Sequence, residues 1–94
     1  MELSVVILNY NAAPFLRLCL DSVIRATQKI TSEIIVADNC STDDSVQLVR
    51  EKYPQVTLLP FGSNYGFSKG NNLAVKQARG TYLCILNPDT IVGR

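Results

Sequence analysis

Apolar residues along this chain come in two rhythms, short unbroken runs and longer stretches with a helical repeat, and the two alternate from one end to the other. Leu3 to Leu8 is almost wholly apolar and β-branched, which predicts a central strand ending at Asn9, Tyr10 and Asn11. Pro14 suits the first position of a helix, and Leu16, Cys19, Leu20, Val23 and Ile24 repeat at helical spacing, predicting an amphipathic helix of about three turns. Ile34 to Ala37 is too short for a helix and reads as a second buried strand, which stops at the carboxylate of Asp38. Ser41, Thr42 and Asp44 then supply cap chemistry, with Ser41 and Asp44 at capping-box spacing, for a helix from roughly Asp43 to Lys52 that Pro54 forbids from continuing.

Val56 to Leu59 predicts a short third strand. From Pro60 to Gly70 the pattern breaks into a loop punctuated by Gly62, Gly66 and Gly70, which opens onto a helix carrying Leu73, Ala74 and Ala78 and ended by Gly80. Tyr82 to Leu86 predicts a fourth strand, broken abruptly by Asn87-Pro88-Asp89-Thr90 because proline cannot donate to a ladder. The order βαβαβαβ with right-handed crossovers implies an α/β fold, a Rossmann-like parallel sheet of about four strands with helices on both faces. In the doubly wound order 3-2-1-4 a crevice opens between the first and fourth strands, at the carboxyl edge where such sheets bind ligands. Asn9 to Asn11, Asp38 and Asn39, and Asn87 to Asp89 all fall on that edge.

Composition narrows the picture mainly by exclusion. A chain of 94 residues makes one small domain, and an apolar fraction of 47% supports a real core. Charged residues make up 18%, with a net charge of +1, so no electrostatic footprint for nucleic acid or an anionic membrane is present. The start lacks a positive leader and the apolar runs are far shorter than a membrane span, so a cytoplasmic location is expected, with membrane association left to a longer form of the protein. The three cysteines, Cys19, Cys40 and Cys84, show no disulfide or zinc spacing, and Cys19 and Cys84 read as small buried residues in a reducing compartment. With no histidine, the commonest general base and metal ligand is missing.

The candidate chemistry lies in three places. Asp38 is either a structural aspartate or an acceptor for a ring N–H such as the imide of uracil or thymine, and Asn39 divides between turn chemistry and ligand contact. Asp43 and Asp44 read as complements to a helix dipole. In Asn64-Tyr65-Gly66-Phe67-Ser68-Lys69-Gly70-Asn71-Asn72, glycines admit close backbone approach, Lys69 brings positive charge and a helix N-terminus follows; this suits a diphosphate, or equally a turn before a helix. Asp89, just past a strand, can hold Mg²⁺ or Mn²⁺ while phosphates and water complete the shell.

Four segments taken together, Val6-Ile-Leu-Asn-Tyr-Asn11, Val36-Ala-Asp-Asn-Cys-Ser-Thr-Asp-Asp-Ser45, Asn64-Tyr-Gly-Phe-Ser-Lys-Gly-Asn-Asn72 and Ile85-Leu-Asn-Pro-Asp-Thr90, resemble the family 2 inverting glycosyltransferases of the GT-A fold, in the family's order and approximate spacing. The variants Asn-x-Gly-Phe and Asn-Pro-Asp-Thr are most similar to its rhamnosyltransferase-like branch, which builds bacterial envelope polysaccharides. The resemblance implies that Leu8, Asn9 and Tyr10 border the nucleotide, that Asp38 receives the base N–H beside Asn39, and that Gly66, Lys69, Gly70 and Asn71 lie near the ribose and diphosphate. Asn87 and Asp89 occupy the family's Asp-x-Asp motif, with asparagine in the first place, leaving Asp89 as the carboxylate for Mg²⁺ or Mn²⁺. The implied donor is a nucleoside-diphosphate sugar carrying UDP, dTDP or GDP, and the acceptor a glycan.

No residue matches the family's catalytic base, which follows the Asp-x-Asp segment together with the acceptor-binding half. Residues 1–94 are therefore expected to be the nucleotide-sugar-binding half of a glycosyltransferase, inactive alone, with an exposed sheet edge open to homodimerisation. A dinucleotide-dependent oxidoreductase would need GxGxxG where Asn-Tyr-Asn-Ala-Ala-Pro stands. A receiver domain would need an acidic pocket where Asn9 and Asn11 stand. The remaining alternative is a non-catalytic Rossmann-like interaction module.

Overall fold

The computed structural model describes residues 1–93. Its elements are β1 (Leu3–Asn9), α1 (Ala13–Ala26), β2 (Ser32–Asp38), α2 (Ser45–Lys52), β3 (Thr57–Pro60), α3 (Gly66–Val75) and β4 (Tyr82–Leu86). The strands form one four-stranded sheet in the order β3-β2-β1-β4, every pair parallel. This is the architecture expected from the alternating apolar rhythms.

Alternation along each strand divides the core in two. Val5 and Ile7 of β1 and Ile34 and Val36 of β2 pack beneath Leu16, Cys19, Leu20 and Val23 of α1 and Val49 of α2. Val6, Ile35 and Ala37 point the opposite way, onto Ala74 of α3. Complete burial of side chains such as Ile7, Leu16 and Ile35 stabilises the fold by about 1.5–3 kcal/mol each. β4 is covered unevenly: Cys84 and Leu86 pack against the larger cluster, while Tyr82, Leu83 and Ile85 stay exposed.

Three expectations are corrected. α3 begins at Gly66, so the run from Gly66 to Gly70 is helix rather than loop. Glycine is a poor helix former, but Gly70 sits where a Cβ would come within 2.8 Å of Leu8 Cδ1, so a bare backbone is what lets the helix lie this close to β1. α3 ends at Val75, before Gly80. Gly80 instead donates its N–H to Ser4 Oγ at 2.7 Å, and a Cβ there would lie 2.5 Å from the Ser4 nitrogen. Finally, the Ser41–Asp44 capping box does not form. α2 starts at Ser45, and Asp43 accepts from the Ser45 amide at 2.9 Å and from its hydroxyl at 2.5 Å.

Asp43 thus does more than complement a dipole. Its other oxygen accepts the Ala13 amide at 3.2 Å, so one carboxylate ties the starts of α1 and α2 together. Burial pushes its pKa up, but the Ser45 hydroxyl and the Ser45 and Ala13 amides outweigh this and hold it below the usual range.

Candidate functional site

A cavity of about 370 Å³ opens at the carboxyl edge of the sheet. Leu8, Asn9 and Tyr10 enter its wall from the end of β1, Asn39 from β2, Asn87 and Pro88 from β4, and Asn64, Gly66 and Phe67 from the start of α3. Segments up to about eighty residues apart in sequence meet there because all strands run the same way and end together. Tyr10 and Phe67 are 49% and 66% exposed, leaving aromatic faces free beside a polar floor.

Asn39 is buried yet lines this cavity. Its Nδ2 donates to the Gly66 carbonyl at 3.1 Å and its Oδ1 accepts the Tyr65 amide at 3.1 Å, so one side chain docks the start of α3 on β2. Asn64 Oδ1 accepts the Gly66 amide at 2.9 Å, and Gly66 takes a φ of 79°, a left-handed conformation that favours glycine.

The remaining predicted site residues lie at the same edge but off the cavity wall. Asp38 is 2% exposed. Its Oδ1 accepts from Asn9 Nδ2 at 3.0 Å and Ser41 Oγ at 2.7 Å, and its Oδ2 accepts the Ser41 amide at 2.8 Å. Lys69 is exposed and holds its Nζ 4.6 Å from the centre of the Tyr65 ring. Gly70 and Asn71 are buried positions of α3 itself, while Asp89 is exposed just beyond β4. Among the described residues no three His, Cys, Asp or Glu side chains are grouped so as to hold a metal ion. A single carboxylate at Asp89 suits Mg²⁺ or Mn²⁺ only where a ligand such as a diphosphate supplies further oxygens.

Two amide oxygens at this end are buried without partners, Asn9 Oδ1 and Asn71 Oδ1. Near Asp89, burial and then the negative charge of Asp89 push the Cys19 thiol up to about 11, so it stays protonated and inert.

Sequence reasoning placed Asn11 at this edge and gave Ser41 a helix-capping part, but not the bond that joins them. Asn11, at φ 49°, accepts the Thr42 amide at 2.7 Å and the Asp43 amide at 3.2 Å through Oδ1, and its own N–H donates to Ser41 Oγ at 2.9 Å. The signal was an asparagine two residues past a strand, a residue type that tolerates left-handed backbone and binds nearby amides.

The family model described as glycosyl transferase family 2 matches residues 4–93. The chain belongs to that family. It is 39% identical over 75 residues to N-acetylglucosaminyl-diphospho-decaprenol L-rhamnosyltransferase of Mycobacterium tuberculosis, a match covering 80% of this chain and 24% of that one. Among solved structures of similar shape, S. aureus TarS 1-349 in complex with UDP-GlcNAc superimposes with a TM-score of 0.81 at 30% identity, covering 95% of this chain and 27% of that 1-349 chain. The mannosyltransferase PcManGT from Pyrobaculum calidifontis, in complex with GDP-Man and Mn²⁺, gives 0.80 at 26% identity, with 96% and 28% covered. The chain spans about a quarter of the length of the rhamnosyltransferase and of each of these two solved chains.

Proposed function

We propose that this chain is the nucleotide-sugar-binding part of an inverting glycosyltransferase, which moves a sugar from a nucleoside diphosphate to an acceptor glycan. The observation that carries the reading is the convergence of three strand ends and a helix N-terminus on one open cavity floored by Asn9, Asn39 and Asn87. Tyr10 and Phe67 would offer ring faces to a base or a sugar. Asn39 would present the second lone pair of its Oδ1 and the second hydrogen of its Nδ2. The N-terminal turn of α3, with Gly66, Lys69, Gly70 and Asn71, would lie near the diphosphate, its amides and positive dipole end favouring negative charge.

Asp89 would hold Mg²⁺ or Mn²⁺ together with the diphosphate, and the bound ion would offset charge on the departing nucleoside diphosphate. TarS in complex with UDP and with UDP-GlcNAc, and PcManGT with GDP-Man and Mn²⁺, support this ligand class. The relative named N-acetylglucosaminyl-diphospho-decaprenol L-rhamnosyltransferase supports an acceptor that carries a sugar. The exposed Tyr82, Leu83 and Ile85 on edge strand β4 form a surface on which a second copy could pair.

Calorimetric titration with UDP, dTDP and GDP, each with and without Mn²⁺, tests the reading. Metal-dependent binding of at least one nucleotide, with the dependence lost in Asp89→Ala, is expected. Failure to bind any of them would overturn the reading in favour of an interaction module.

A further inference from the structure

We propose that Asp38 serves the donor site as a positioning residue: its carboxylate sets the two loops that carry the cavity wall and does not itself touch the nucleotide. The inference rests on the nucleotide-sugar reading above and assigns Asp38 a role within it.

Three observations lead here. The carboxylate is 2% exposed and already accepts three hydrogen bonds, from Asn9 Nδ2, Ser41 Oγ and the Ser41 amide. An ionised carboxylate only accepts, so Asp38 decides how both partners are turned. The nitrogen of the Asn9 amide must face it, and the Ser41 hydroxyl must spend its proton on it. The Ser41 oxygen is thereby left to accept the Asn11 amide at 2.9 Å, and Asn11 Oδ1 in turn accepts the amides of Thr42 and Asp43.

This chain of bonds joins the loop after β1 to the loop after β2. It also holds two residues in left-handed backbone, Asn11 at φ 49° and Cys40 at φ 63°, one in each loop. The wall residues sit between these fixed points. Tyr10 lies between Asn9 and Asn11, and Asn39 lies between Asp38 and Cys40. Moving Asp38 therefore moves both walls, although Asp38 reaches neither face of the cavity.

The test uses the 94-residue chain, UDP and N3-methyl-UDP, whose methyl group removes the ring N–H. Asp38→Asn sets an amide nitrogen against groups that are already donors. It is expected to weaken both ligands by the same factor, roughly tenfold, leaving the ratio of their affinities as in the unaltered chain. Hydrogen exchange at the Thr42 and Asp43 amides should quicken in the same variant. Ser41→Ala, which removes the hydroxyl that joins Asp38 to the Asn11 amide away from the cavity wall, should quicken the same exchange and weaken both ligands by a common factor.

A change in the UDP to N3-methyl-UDP ratio in Asp38→Asn, with exchange at Thr42 and Asp43 unaltered, would show direct reading of the base and overturn the proposal. Unchanged affinity for both ligands would overturn it equally. If, with Mn²⁺ present, the unaltered chain binds none of UDP, dTDP and GDP, the donor-site reading itself falls; if it binds only dTDP or GDP, the ring-N-methylated form of that nucleotide takes the place of N3-methyl-UDP; normal binding with no effect of Asp38→Asn on exchange removes the positioning role alone.

Discussion

The two edges of the sheet treat polar side chains in opposite ways. At the amino edge, Ser4 Oγ donates to Glu33 Oε2 at 2.6 Å and accepts the Gly80 amide at 2.7 Å, while the Arg79 amide donates to the same Glu33 oxygen at 2.6 Å. Ser4 is fully buried, and Gly80 leaves no room for a methyl group. At the carboxyl edge, two buried amide oxygens have no partner, two residues other than glycine hold left-handed backbone, and the Tyr10 and Phe67 rings face solvent. One edge spends its polar groups on closing the fold; the other keeps some in reserve for a ligand. Uncompensated buried acceptors and strained backbone cost stability, so the closed edge offsets what the open one gives up.

Filling the closed edge should do the most damage. Gly80→Ala forces a Cβ against the Ser4 backbone and should destabilise the chain by about 3 kcal/mol in urea unfolding. A change below about 0.5 kcal/mol would mean the two edges do not differ in this way.

Phe67→Ala probes the open edge and should behave in the reverse manner. Its ring is 66% exposed, so stability should stay within about 0.5 kcal/mol of the unaltered chain. UDP affinity should fall roughly tenfold, the scale of one lost base–aromatic stacking contact. Loss of stability without loss of affinity would make Phe67 a core residue.

Relieving strain at the open edge should stabilise. Cys40→Gly suits φ 63° and should add about 1 kcal/mol, raising the thermal midpoint by roughly 4–8 °C.

The smallest effect concerns pH at the closed edge. Burial pushes the Glu33 carboxyl up, but the Ser4 hydroxyl, the Arg79 amide and the Arg79 charge more than reverse this and hold it below the usual carboxylate range. The folded pKa lies under the unfolded one, so its contribution is fully present above about pH 4.5 and is lost as pH falls through the folded value. Glu33→Gln should flatten this part of the acid unfolding profile, and an unchanged profile would place the acid sensitivity elsewhere.

Strand identity and order were legible because buried parallel strands are written as unbroken apolar runs, as in Leu3 to Leu8 and Ile34 to Ala37. The convergence of Asn9, Asn39 and Asn87 followed from that order without side-chain detail. The start of α3 was hidden because Gly66 and Gly70 lower local helix propensity; the φ of 79° explains Gly66, and close contact with Leu8 and Asn39 explains Gly70. The Asp38–Ser41–Asn11 bonds were equally hidden. Ser41 lies three residues from Asp38, but the bonds to Asn11 join positions about thirty residues apart, and no local pattern says which of several polar loop residues will face each other. Lys69 was read by charge alone, whereas its position over the Tyr65 ring depends on how the first turn of α3 is wound.

Strand order carries a consequence for synthesis. β1 is made well before one of its two neighbours, since β4 emerges only after β2, β3 and three helices. A nascent chain must therefore carry an unpaired, strongly apolar β1 flank past the ribosome until Tyr82 to Leu86 arrive, and only then can the crevice take shape. Slow translation before Tyr82 would lengthen that vulnerable interval.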